Sequence, residues 1–465
     1  MKNINIRVII ILFLISILMI GCTAPISPNL ETEETEPPTT ADLPAEEPRD
    51  QPARFTIQAD RDLKGILEAL YDALYPGETA LFVESGADLK ATKSAPVFSG
   101  RPSVEAWFLV DSVLIAEDDK PDVRDFIDFA ISPDGQKVLI DLGELPSVVT
   151  LTDQAGNNLE IEQPIRRLIS AYGPSTAIVY SINAGDRLVA ASYLGARDPQ
   201  GAAAMERIDA RFPNLVGDDY FSQSEFNLEH AATLEPDLVI GGARSGWAES
   251  VSQLGIQVFL MEAETPDQLK EAMLLIGQLF GPHAYVQAQA WVAYYDWVID
   301  NILDDTETFT QEERARVLFT GTEPLRVASG EMYQTDIIEA AGGISVSEDL
   351  LGYWNDVNLE QIAIWDPGVI IVPPYGGASV AAITDSVEWQ ILPAVQNGKV
   401  YRMPKLVVPW DTPAPDSVLG IIWMAGRLNP GMISLDCNEE AEYFYNTFYN
   451  YAISGDEIAA ICTIE

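Results

Sequence analysis

One phrase of this chain occurs twice, from Asn227 to Ile240 and again from Asn358 to Ile371. Each copy opens Asn-Leu-Glu, continues through a short helical stretch to an acid and a proline, and closes on large apolar residues. Asparagine suits a helix start because its side-chain oxygen accepts from the free N–H groups of the first turn. Proline stops the helix, and Leu238-Val239-Ile240 and Val369-Ile370-Ile371 suit strands covered on both faces. A duplicated helix-to-strand unit predicts two similar α/β lobes, and a ligand would sit in the cleft between them.

Strand and helix patterns alternate around both copies. Pro164 to Ser170, Leu188 to Ala191 and Val258 to Met261 read as strands of a first lobe over about 160–265. Ala315 to Phe319, Val369 to Val372 and Lys399 to Arg402 do so for a second lobe over about 312–430. The fold class is therefore α/β, two lobes with a smaller N-terminal α/β segment. Between the lobes, Ala284 to Leu303 contains neither Pro nor Gly, and Trp291, Tyr294, Tyr295, Trp297, Val298 and Ile302 recur at helical spacing. A bridging helix over about 282–304 is expected, roughly 30 Å long. Its aromatic stripe reads as packing.

The ends of the chain carry different signals. Lys2 and Arg7 precede the apolar run Val8 to Ile20, which meets Gly21-Cys22, the pattern of a secretory signal over 1–22. Met19-Ile20-Gly21-Cys22 resembles the bacterial lipobox, with Met19 where Leu is more usual. That resemblance implies lipidation of Cys22 and a membrane anchor through its acyl chains. Residues 23–53 are rich in Pro, Glu and Thr and read as a disordered tether. In 54–147, a helical pattern covers Asp62 to Leu74, and Val123 to Val138 with Gly143 to Pro146 resembles the closing helices of type II solute-binding proteins. The segment is too short for two lobes and reads as a partial, docking or spacer module. The main domain, 148–465, opens on the hairpin-like Val149 to Asn157. Cys437 and Cys462 in its tail admit a disulfide or two free thiols.

Composition removes several function classes. Lys plus Arg number 27 against 71 Asp plus Glu, a formal charge of −44, which argues against nucleic-acid binding. His230 and His283 are the two histidines, too few and too far apart for a bare-metal site. The chain has no Walker-type loop, no Gly-x-Ser-x-Gly elbow and no placed Ser–His pair, so neither an enzyme nor a resident cofactor is expected.

In order along the chain stand Arg167-Leu168-Ile169-Ser170-Ala171-Tyr172-Gly173-Pro174-Ser175-Thr176, Asn227-Leu228-Glu229 with Leu234 to Ile240, Leu254 to Val258, Ile337 to Gly343, and Asn358-Leu359-Glu360. Together they resemble the ABC-transporter substrate-binding proteins for iron–siderophores, haem or cobalamin, over roughly Val149 to Pro430. The resemblance implies two lobes on one stiff helix, a metal chelate held between them, and partners in an ABC permease and its ATPase. It places permease-docking glutamates at Glu229 and Glu360. An acid in a helix's first turn is also favoured by the helix dipole alone, by about 0.3–1 kcal/mol.

Ligands of open α/β sheets meet the loops at the strands' carboxyl ends. That rule nominates Tyr172, Ser175, Tyr193, Tyr220 and Arg244 from the first lobe, and Tyr333, Tyr353, Trp354, Tyr375 and Trp410 from the second. So aromatic a set suits a corrin, porphyrin or catecholate surface. The alternatives are a molybdate or tungstate site built on Ser175, Thr176 and Arg244, and a surface or sensory lipoprotein that transports nothing.

Overall fold

The computed structural model describes residues 53–98, 100–102, 105–192, 199–216 and 221–463. The expected signal, Cys22 and most of the tether lie outside the described residues, as do Tyr193 and Tyr220.

The two copies of the repeated phrase fold alike and enter different sheets. Asn227 Oδ1 accepts the His230 N–H at 2.9 Å to start the helix Leu228–Leu234. Asn358 Oδ1 accepts the Gln361 N–H at 2.8 Å to start Leu359–Trp365. Each helix ends on an acid in the left-handed region, Glu235 at φ 43° and Asp366 at φ 46°, just before the proline. An arginine from the neighbouring strand then caps each helix: Arg167 Nε donates to the Leu234 carbonyl and Arg316 Nη2 to the Trp365 carbonyl, both at 2.7 Å. A cation there also meets the negative end of the helix dipole.

The first lobe's sheet runs Gln257–Met261, Leu238–Gly242, Leu168–Ser170, Leu188–Ala191, all parallel. The second runs Val400–Arg402, Val369–Val372, Arg316–Phe319, Ile344–Ser345, again all parallel. Topology is the same in both: the lobe's first strand lies between its second and third, and the fourth lies outside the third. The inner strands Leu238–Gly242 and Val369–Val372 are buried throughout, as strands covered on both faces must be.

The bridging helix is Pro282–Thr306, 25 residues and so about 37 Å long. Trp291, Tyr294, Tyr295, Val298 and Ile302 are buried in its packing. Gly281 precedes it at φ 95°, and a Cβ there would lie 2.5 Å from Gln136 Nε2. The positive φ favours glycine, and any larger residue would also displace the Gln136 amide.

The N-terminal segment forms one five-stranded mixed sheet, ordered Leu81–Phe82, Thr56–Ala59, Leu89–Lys93, Ser112–Ala116, Ala106–Leu109. Its own core gathers Phe55, Leu67, Tyr71 and Phe126. It docks along the bridging helix: Trp107 and Val113 pack on Val286, and Gln136 Nε2 donates to the Phe280 carbonyl at 2.8 Å. The main domain opens on the hairpin Val148–Thr152 with Asn158–Glu162. Cys437 and Cys462 are joined by a disulfide between the last two helices, Cys437–Phe448 and Gly455–Cys462. Among the described residues no helix is long and apolar enough to cross a membrane.

Candidate functional site

A doubly wound sheet opens a crevice where the chain leaves neighbouring strands in opposite directions, here between the first and third strands of each lobe. Tyr172 follows the first strand of lobe one, and Arg244 follows the third. Gly321 follows the first strand of lobe two, and Tyr375 follows the third. The arginine caps at the strands' amino ends put the starts of the repeated helices on the opposite, crevice side. Glu229 and Glu360 therefore lie toward the rim of the crevice, both exposed, and neither has an ion-pair partner among the described residues.

At one end of the cleft the lobes touch. The Arg244 guanidinium lies 4.6 Å from the centroid of the Tyr353 ring, donates to its hydroxyl, and pairs with Glu264 at 2.6 Å. Ser329 Oγ donates to the Gly352 carbonyl at 2.5 Å, and Glu331 accepts the Gly352 N–H at 2.6 Å, which fixes the loop carrying Tyr353. Tyr172 is half-buried beside this group. Burial and the Glu264 charge raise its phenol to about 12, so it remains a neutral donor at physiological pH. Trp354 covers Gly321, where a Cβ would sit 2.8 Å from the indole.

Two cavities occupy the other end. One, of about 460 Å³, is rimmed by Gln200 from lobe one and by Arg402, Met403 and Lys405 from lobe two. The second, of about 550 Å³, is lined by Tyr375, Gly376, Gly377 and Ser379 and shares Pro374 and Arg402 with the first. Arg402 Nη2 donates to the Pro374 carbonyl at 2.9 Å, which sets the guanidinium between the two. The Tyr375 hydroxyl donates to Asp411 Oδ2 at 2.6 Å. Burial pushes the fully enclosed Asp411 carboxyl up to about 6, against the hydrogen bond from Tyr375.

Several nominated residues lie elsewhere. Trp410 is fully buried and donates its indole N–H to the Tyr445 hydroxyl at 3.2 Å. Tyr333 is buried against the bridging helix, its hydroxyl 2.7 Å from Ser417 Oγ. Ser175 Oγ lies 2.7 Å from Ser170 Oγ and donates to the Tyr172 carbonyl, and Thr176 donates to the Ser192 carbonyl at 2.6 Å. These side chains support the cleft walls from behind. Residues near the ends of strands include wall-forming and wall-backing side chains alike, and position alone does not separate them. Tyr172, Arg244, Tyr353, Trp354 and Tyr375 do gather at the cleft. Arg402, Lys405 and Gln200 escaped the sequence reading, although Arg402 closes the strand-like run Lys399 to Arg402. The rule that nominated Tyr375 would have found it.

Two related lobes on one long helix, with ligand-sized space between strand ends, define a two-lobed solute-binding protein. Residues 169–406 match the family model described as periplasmic binding protein, and the chain belongs to that family. Membership makes it an extracytoplasmic solute-binding protein. Among its relatives is the vitamin B12-binding protein of Yersinia pestis (strain Pestoides F), 28% identical over 250 residues that span 53% of this chain and 78% of that protein. Its fold is similar to that of a periplasmic solute binding protein from Veillonella parvula (TM-score 0.58, 24% identity, 68% of this chain and 96% of that one). The molybdate periplasmic binding protein MolA of Haemophilus influenzae is comparably similar (TM-score 0.59, 22% identity, 66% of this chain and 99% of that one).

Proposed function

We propose that this chain is the lipid-anchored binding component of an ABC importer and captures between its lobes a metal chelate that carries anionic groups at its edge. The observation that carries the reading is the basic rim at Arg402 and Lys405, in a chain of formal charge −44, beside two neighbouring cavities of about 460 and 550 Å³. A tetrahedral oxyanion needs far less room, and the hydroxyls of Ser175 and Thr176 that would serve one are engaged within lobe one. Tyr172, Tyr353 and Trp354 offer flat faces for a planar ligand, and the vitamin B12-binding relatives support a corrinoid among the candidates. Glu229 and Glu360 would dock the two lobes on the permease, and Cys22 would carry the lipid.

Affinity measurements on the purified soluble domain test the ligand. The panel is cyanocobalamin, haem, a ferric hydroxamate, a ferric catecholate and molybdate. Micromolar or tighter binding of one chelate is expected, whereas tight binding of molybdate alone overturns the chelate reading. Binding of nothing favours a non-transport surface protein. Incorporation of labelled palmitate that is lost on Cys22→Ala tests the anchor.

A further inference from the structure

The last helix of the chain walls the cavity that Arg402 and Lys405 rim. Asp456, Ala459, Ala460 and Ile461 of the helix Gly455–Cys462 line it. Only Ile461 and Cys462 of that helix are buried, so its own apolar contacts hold it weakly. Its position rests on ties to both lobes. On the lobe-one side, Arg207 pairs with Glu457, its Nη1 at 3.5 Å from Oε2, and its guanidinium lies 5.2 Å from the Tyr451 ring. The Tyr451 hydroxyl donates to the same carboxylate at 2.8 Å. On the lobe-two side, Arg427 Nη2 donates to the Cys462 carbonyl at 3.0 Å. The disulfide then fastens Cys462 to Cys437, whose helix packs on the bridging helix through Phe448 and Tyr294, ring centroids 5.9 Å apart. The family match ends at residue 406, so this wall lies outside it.

We propose that the disulfide-closed tail is a third wall of the ligand site, with the surface of Ala459 and Ala460 setting how large a ligand the cavity admits. The proposal rests on the cleft reading above. Two small side chains leave the room, Asp456 adds a carboxylate to the lining that Arg402 and Lys405 share, and the Cys437–Cys462 bond keeps the helix from swinging away. A ligand there meets Arg402 and Lys405 from lobe two, and the Asp456 carboxylate with small apolar groups from the tail. That pattern suits a chelate with an anionic edge and a compact apolar body.

Ala460→Trp tests this without touching the fold's core, because Ala460 is exposed. Whichever of cyanocobalamin, haem, ferric hydroxamate or ferric catecholate the wild type binds, Ala460→Trp should weaken it at least tenfold, with an unchanged melting temperature. Glu457→Gln should weaken it about threefold. Wild-type affinity in Ala460→Trp overturns the proposal. If the wild type binds no chelate, the chelate reading itself has failed, and hydrogen exchange on the ligand-free protein then decides the wall. Cys437→Ser with Cys462→Ser should deprotect residues 457–462 together with 403–405, leaving the strand Val369–Val372 protected. Deprotection confined to the tail overturns the proposal.

Discussion

The two ends of the cleft are built from corresponding parts and have become opposites. Shared topology makes the outer fourth strand of lobe one, Gln257–Met261, the counterpart of Val400–Arg402 in lobe two. After the first, Glu264 holds Arg244 against Tyr353, and the lobes meet. At the end of the second, Arg402 and then Lys405 line a cavity together with Gln200 of lobe one. What the halves share is the helix, its asparagine cap, its left-handed acid and its arginine clasp; what they do not share is the loops that follow the strands. The shared parts leave one glutamate per lobe exposed, Glu229 and Glu360, the pair proposed to dock on the permease. The divergent loops give one end that joins the lobes and another with room for a ligand.

The largest effect should come from the shared part. Glu229→Arg combined with Glu360→Arg places cations where the importer's membrane subunit is expected to offer its own. Uptake by cells carrying the double variant should fall more than 100-fold, while ligand affinity of the purified protein stays within about twofold. Single variants should fall between. Retained uptake would show that the glutamates serve only the helix dipole, and the matched helices would then say nothing of a docking face.

Next comes the divergence of the ends. Arg402→Glu with Lys405→Glu should lower affinity for an anionic chelate at least about 100-fold, the lower limit of about 1.5–3 kcal/mol for each of two hydrogen bonds to a charged group. Titration calorimetry reads the loss directly. A change under threefold would move the ligand toward the Arg244 end and reverse the comparison.

How much of this was visible in the sequence follows the same division. Repeated helix, strand and bridging-helix patterns were legible because caps, prolines and apolar periodicity are local signals. Ile344–Ser345, two residues long, left no such signal and exists only because Arg316–Phe319 offers it an edge. The carboxyl-end rule nominated Tyr172, Arg244, Tyr353, Trp354 and Tyr375, which lie along the cleft. It could not tell them from Trp410 and Tyr333, whose burial depends on Tyr445 and Ser417 arriving from later in the chain. The tail's part in the cavity was invisible for the same reason: Asp456 and Ala460 reach it only through contacts distant in sequence.

The lobes also differ in the charges they bury. Lobe one buries Arg187, paired with Asp186 at 2.6 Å. Lobe two buries Asp411 and Asp416, both pushed by burial from 3.8 up to about 6, Asp416 against hydrogen bonds from Tyr449 and Tyr445. A carboxyl raised on folding makes the native state bind protons that the unfolded chain has lost. These two groups therefore cost stability above about pH 6 and release that cost as pH falls toward 4, on the order of 3 kcal/mol each. Melting temperature should rise between pH 7.5 and pH 5. Asp411→Asn, which keeps an acceptor for the Tyr375 hydroxyl, should flatten that rise, and a slope unchanged in the variant would remove Asp411 as its source.

The smallest expected effect tests the closed end. Arg244 and Tyr353 are both about half exposed, at 51%. An exposed ion pair contributes about 0.2–1 kcal/mol, and a cation over an exposed ring about 0.5–1 kcal/mol. Arg244→Ala should barely shift the melting temperature, since each lobe keeps its own core. The contact spans the lobes, so its loss should appear instead in how long they stay together around a ligand. A two- to fivefold faster dissociation is expected, with association unchanged, read by surface plasmon resonance. Tyr353→Phe retains the ring and removes the hydroxyl, and should produce the smaller part of that change. If Arg244→Ala instead costs more than about 50-fold in affinity, Arg244 binds the ligand directly, and the two ends of the cleft are less unlike than their loops suggest.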